Sequence, residues 1–168
     1  MRDLAIKEMP LKEKYDKLLD LYIQTEVMNY ALHKELGTMD KRNDMMFKVW
    51  KKMMPSYMGI ALKVMKTIAP SKTFKKMVDG FASFSQATVP LSNLELTWVS
   101  DREVVMRTKN CPLLVRGKEL AKKAGLDIDP KEICKNDQAY MPRMFEEWGI
   151  DITMELEENG CRIIAKLK

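Results

Sequence analysis

Ile150-Asp151-Ile152-Thr153-Met154-Glu155-Leu156-Glu157-Glu158-Asn159-Gly160-Cys161-Arg162-Ile163-Ile164-Ala165-Lys166-Leu167 is the stretch that decides the fold. Ile150, Ile152, Met154 and Leu156 alternate with Asp151, Thr153 and Glu155, and Cys161, Ile163, Ala165 and Leu167 alternate with charged Arg162 and Lys166. A period of two sends successive side chains to opposite faces, so each half predicts a strand with one apolar face. The Asn159-Gly160 pair between them predicts a tight turn, and the whole an antiparallel hairpin.

Working back towards the N-terminus, the same signal recurs. Leu94, Leu96 and Trp98 alternate with Glu95, Thr97 and Val99; Ser100-Asp101-Arg102 forms a polar turn, and a β-rich run from Glu103 to Thr108 follows. That predicts a second hairpin. Two helices are expected between the hairpins. One opens at Pro112, presents Leu113, Leu114, Leu120 and Ala121, and closes at Gly125; the other opens at Asp129-Pro130 and should be interrupted by Pro142.

Before Pro90 the period is helical. Tyr15, Leu18, Leu19, Tyr22, Ile23, Glu26, Tyr30 and His33 share a helical spacing ended by Gly37, which predicts one long first helix. A second is expected after an Asp40 N-cap and up to Pro55, a third from Ser56 to before Pro70, and a fourth from Ser71 towards Phe84. Met45, Met46, Met53, Met54, Met58 and Met65 cluster here; they are expected in the core, with an adaptable ligand cavity as the alternative. The predicted fold class is therefore α+β: a helical part over residues 1–88, packed with a four-stranded antiparallel sheet of two hairpins separated by helices over residues 89–168. A chain of 168 residues suffices for one domain with its own core.

Composition narrows the function classes. No apolar run approaches the roughly 20 residues of a membrane-spanning helix, and the opening sequence lacks a secretory pattern, so a cytoplasmic protein is expected. Three cysteines cannot all pair internally, which also suits a reducing compartment. Residues 41–80 carry ten Lys and Arg against Asp44 and Asp79. These cations are expected to solvate helix faces, an acidic partner being the alternative. Nucleic acid is not expected, because no recognition motif is present and Arg is scarce. The expected partners are a small organic ligand and, as the macromolecular candidate, a second copy of the chain.

The chemistry-bearing residues are Cys111 before Pro112, Cys134 within a helix, and Cys161 at the start of the last strand. Their wide spacing excludes a local CxxC knuckle, so a common site must be assembled by the fold. A thiolate is a nucleophile or a soft metal ligand; three of them would suit zinc or an iron–sulfur cluster, and burial as small hydrophobes is the plain alternative. Cys111 precedes a helix whose free N–H groups favour negative charge. Asp137 is a candidate base, water-orienting group or ligand, or else a local cap. Glu26 and the single histidine, His33, are secondary candidates on the first helix for binding a cofactor.

The order strand, Cys111-Pro112, amphipathic helix, Cys134-Lys135-Asn136-Asp137, then Gly160-Cys161-Arg162-Ile163-Ile164 resembles the L-2-amino-thiazoline-4-carboxylic acid hydrolase family. It is more distantly similar to the small-molecule-binding 4-vinyl reductase domain, which ends in a comparable glycine-cysteine strand. The resemblance covers residues 94–168. It implies that Cys111, Cys134, Asp137 and Cys161 gather on one side of the sheet around a small-molecule pocket, and that the protein hydrolyses a carbon–nitrogen bond. A non-catalytic carrier of a metal, an iron–sulfur cluster or a small ligand is the alternative. The chain departs from the family at Glu157-Glu158-Asn159 and at Arg162, where relatives often carry an acidic residue.

Overall fold

The computed structural model describes residues 10–53 and 67–168. Residues 56–66 of the expected third helix lie outside these, as do Met54, Met58 and Met65. Among the described residues lie five α-helices: α1 (Leu11–Glu35), α2 (Met39–Met53), α3 (Pro70–Ser85), α4 (Pro112–Lys123) and α5 (Pro130–Glu146). The strands are β1 (Leu94–Ser100), β2 (Glu103–Thr108), β3 (Ile150–Leu156) and β4 (Cys161–Leu167). They form one antiparallel sheet in the order β1-β2-β4-β3. The fold is thus α+β with a helical N-terminal half, as the periodicities predict. None of the described helices is long and apolar enough to cross a membrane.

The inner face of the sheet follows the alternation. Val104 and Met106 of β2, Ile163, Ala165 and Leu167 of β4, and Ile150 and Met154 of β3 are buried, while their neighbours Arg107, Arg162, Asp151 and Glu155 are exposed. Two apolar clusters cover that face. Phe74 and Val78 of α3 meet Val104, Ile150, Ala165 and Leu167, and Leu114 and Cys134 meet Met106, Met154 and Ile163. A third cluster joins the helices: Leu19, Ile23, Val27 and Tyr30 of α1 pack against Ala121 of α4 and Ile133 of α5. Gly117 permits that approach, since a Cβ there would lie 3.1 Å from Pro130 Cγ and 3.7 Å from Ile23 Cγ2.

Several expectations need correction. Pro142 sits inside α5 without ending it. A helical proline forfeits one backbone bond; Met141 and Phe145 on either side are packed into the sheet clusters, and that packing carries the helix through. Asp40 lies in the first turn of α2, after Met39, and the N–H of Arg42 instead donates to the Thr38 carbonyl at 2.9 Å. The buried stripe of α1 is Leu19, Ile23, Val27 and Tyr30, so Tyr15, Leu18 and Tyr22 from the expected face are exposed. Met45 and Met46 are also exposed, not core.

The final hairpin forms, but through a different turn. β3 and β4 are joined by Glu157, Glu158, Asn159 and Gly160, with the Glu157 N–H donating to the Gly160 carbonyl at 2.9 Å. Neither Asn159 nor Gly160 adopts positive φ, as a two-residue Asn-Gly turn requires. Gly160 has another reason to be glycine: a Cβ would fall 1.8 Å from the backbone oxygen of Thr108.

Candidate functional site

Local structure at the loop between β2 and α4 fixes the first thiol. Asn110 takes a left-handed conformation (φ 46°), which Asn tolerates better than most residues, and turns the chain so that Cys111 becomes the residue before α4. The Cys111 N–H donates to the Asn159 carbonyl at 2.7 Å, tying this loop to the β3–β4 connection. Cys161 follows Gly160 and pairs across the ladder with the buried Thr108. Cys134 projects from α5 and is buried. All three are free and belong to one apolar cluster with Met106, Leu114, Met154 and Ile163.

Beside the thiols is a polar group that involves three helices. Asp137 stands one turn beyond Cys134 on α5, Tyr22 and Glu26 lie on α1, and Arg42 comes from α2. A guanidinium N–H of Arg42 reaches Glu26 Oε2 at 3.5 Å, and the Arg42 side chain is only 9% exposed. Its Nε has no hydrogen-bond partner among the described residues. α2 is held in place by Asn43 and Asn136, which exchange amide hydrogen bonds of 2.7 and 3.1 Å, and by Arg143, which donates to Asp44 at 3.3 Å.

Electrostatics divides the two groups. Burial raises the Cys111 thiol above its ordinary value; the nearby N–H groups of Leu113 and Leu114 pull the other way, but neither closes a capping hydrogen bond, and burial wins. Cys134 is pushed up to about 12 by burial, then by the charges that Cys111, Asp137 and Cys161 would carry. Cys161 rises to about 11, chiefly by burial and by Cys111, with the Thr108 hydroxyl opposing. Asp137 is pushed up to about 6 by burial and by the Glu26 carboxylate, with Arg42 pulling down. Tyr22 is raised to about 12 by desolvation and by Glu26, Asp137 and Cys111. Tyr22 is 44% exposed and lies at the margin of the site, within reach of those charges.

Comparison of the chain with protein-family models, with curated proteins and with solved structures returns no match in any of the three.

The structure brings Cys111, Cys134, Cys161 and Asp137 into electrostatic range of one another, with Glu26 acting on Asp137. It does not bring His33, whose Nδ1 meets Thr38 Oγ1 at 2.8 Å at the end of α1. Nor do the cysteines, expected as candidate zinc or iron–sulfur ligands, converge: among the described residues no three His, Cys, Asp or Glu groups are placed to hold a metal ion. Three thiols packed among Met, Leu and Ile side chains need not aim at one point. A small apolar cavity of about 30 Å³, roughly one water molecule's share of space, lies between α3 and the sheet, lined by Phe74, Phe81, Met106 and Phe145 among others; no cysteine lines it. A polar depression beside Arg107, Lys109 and Glu157 also excludes them.

Arg42 was not among the expected site residues. It had a signal: it is the one arginine among the ten cations of residues 41–80. Arg suits buried ion pairs better than Lys, because its delocalised charge is less strongly hydrated.

Thiols whose ionisation is suppressed by burial should react slowly. At pH 7.5 a disulfide reagent such as DTNB should label Cys134 and Cys161 at least about 100-fold more slowly in the native protein than in urea, and Cys111 more slowly as well, since the thiolate is the reacting form. Cys111, with N–H groups near its sulfur, should be the first to react. Rapid stoichiometric labelling of the native protein would contradict the suppressed ionisation.

Proposed function

We propose that the chain is a thiazoline-hydrolase-like protein that binds a small organic ligand between the thiol cluster and the Arg42–Glu26–Asp137 group and hydrolyses a carbon–nitrogen bond in it. The observation that carries the reading is the Arg42 Nε–H, buried and without an acceptor among the described residues. A buried unsatisfied donor costs about 1–3 kcal/mol, and a ligand acceptor atom would remove that cost. Asp137 supports the chemistry. A carboxyl that titrates near neutrality can take a proton from water as it attacks carbon and return it to the departing nitrogen.

In this reading the cysteines form a neutral, polarisable wall, because their raised pKa values leave little thiolate for nucleophilic attack at pH 7. Glu26, after burial, makes Asp137 a stronger base, and it keeps Arg42 in place. The same neutrality of the thiols favours, as a second reading, a carrier that binds such a ligand without transforming it.

The test uses L-2-amino-thiazoline-4-carboxylic acid with the full chain. Ring opening should be measurable, rise as pH passes through about 6, and fall by about 100-fold or more in Asp137→Asn. Arg42→Met should weaken binding. A saturable rise in thermal stability without turnover selects the carrier. Absence of both turnover and stabilisation overturns the proposal.

A further inference from the structure

Opposite its buried stripe, α1 carries a second apolar line. Leu11, Leu18, Leu21, Met28, Leu32 and, just past the helix end, Leu36 are between 54% and 83% exposed. Leu11, Leu18 and Leu32 share a seven-residue register with Thr25; Leu21 and Met28 share a second, three residues on, with Lys14 and Glu35. Alternating steps of three and four residues keep a seam on one side of a helix, the spacing by which two helices interlock.

We propose that α1 pairs, antiparallel, with the α1 of a second copy of this chain. The charges within the seam choose both the occupant and the direction. Lys14 lies near one end of the line and Glu35 at the other. Antiparallel pairing sets each lysine near the opposite glutamate and seats Leu18 against Met28 of the second copy. Parallel pairing would stack lysine on lysine and glutamate on glutamate. The polar flank beside the seam is of mixed sign, with Glu13 paired to Lys17 at 3.1 Å, and presents no basic face to an anionic bilayer. A 25-residue helix is about 37 Å long and about 10 Å across, so the contact covers about 400 Å² per copy, half the standard interface. The dimer is therefore reversible. Tyr22, exposed at the edge of this line, also borders the thiol and carboxylate group, which places the paired helices beside the candidate site.

Sedimentation of the full chain from about 1 to about 500 μM, the range suited to an interface of half the standard size, should show a monomer passing to a dimer. Leu21→Glu and Met28→Glu, both on exposed positions, should abolish the dimer with unchanged circular dichroism. Lys14→Glu alone should weaken association by roughly threefold to tenfold, the worth of two exposed ion pairs, and Lys14→Glu combined with Glu35→Lys should restore it. A parallel pair would be indifferent to either change. The proposal is overturned by a monomer throughout the range, by a dimer that survives Leu21→Glu and Met28→Glu, by failure of the double reversal to rescue, or by vesicle binding without self-association.

Discussion

Gly160→Ala should cost about 3 kcal/mol or more of stability, a large share of the 5–15 kcal/mol that holds a typical domain together. The added Cβ would lie 1.8 Å from the Thr108 oxygen and 2.9 Å from its carbonyl carbon. Both are backbone atoms in the ladder, so no side-chain rotation relieves the contact. The β3–β4 connection must lift away from β2, which breaks the bond from the Cys111 N–H to Asn159 and the pairing of Thr108 with Cys161. Gly80→Ala is the control. Gly80 lies within α3 with nothing within 4 Å of its Cβ position, and alanine there should stabilise by roughly 0.5–1 kcal/mol. Urea midpoints of the two variants should move in opposite directions. An unchanged midpoint for Gly160→Ala would show that the close approach does not hold the hairpin.

Asp137→Asn should make the protein more stable at pH 8 while impairing the chemistry proposed for it. Asp137 titrates at about 6 in the folded chain against an ordinary 3.8. The folded state therefore binds more protons than the unfolded state between those values, and stability falls as pH rises through them. Below pH 4 the carboxyl is protonated in both states and the folded chain keeps that contribution. Above pH 6 it is ionised in both, and the difference amounts to about 3 kcal/mol. The neutral amide avoids this cost. Melting temperatures should separate at pH 8 by about 2–4 °C for each kcal/mol, and the gap should close towards pH 4. A variant less stable than the parent at pH 8 would refute the raised pKa. Stability sacrificed at a single half-buried carboxyl is the recurrent cost of a functional group.

The hairpins, their inner faces and the helix between Pro112 and Gly125 were legible because a period of two, first-turn prolines and a left-handed glycine (φ 68° at Gly125) act within a few residues. The Asn-Gly pair was legible as a hairpin but not as its turn, since what constrains Gly160 is a carbonyl some fifty residues earlier in the chain. Pro142 was misread for a similar reason: propensity is local, and the packing of Met141 and Phe145 is not. The face of α1 was ambiguous from the start. Apolar residues occupy two sides of that helix, and only the structure shows that Leu19, Ile23 and Val27 are enclosed while Leu18 and Leu21 are open.

Of the candidate site, the cysteines and Asp137 could be named from their residue types and order, whereas their suppressed ionisation depends on burial that no spacing encodes. Arg42 escaped notice because its importance lies in what it lacks, an acceptor for one N–H, and that is a property of the assembled helices.

The reciprocal amide bonds between Asn43 and Asn136 join neighbours of the two central charged residues: Asn43 follows Arg42, and Asn136 precedes Asp137. Each amide donates to and accepts from the other, so α2 and α5 are latched one residue away from both the cation and the acid. Anything that pries α2 loose must therefore break the guanidinium's contact with Glu26 and carry its charge away from Asp137 at the same moment. Opening of the helical layer and disassembly of the site are one event.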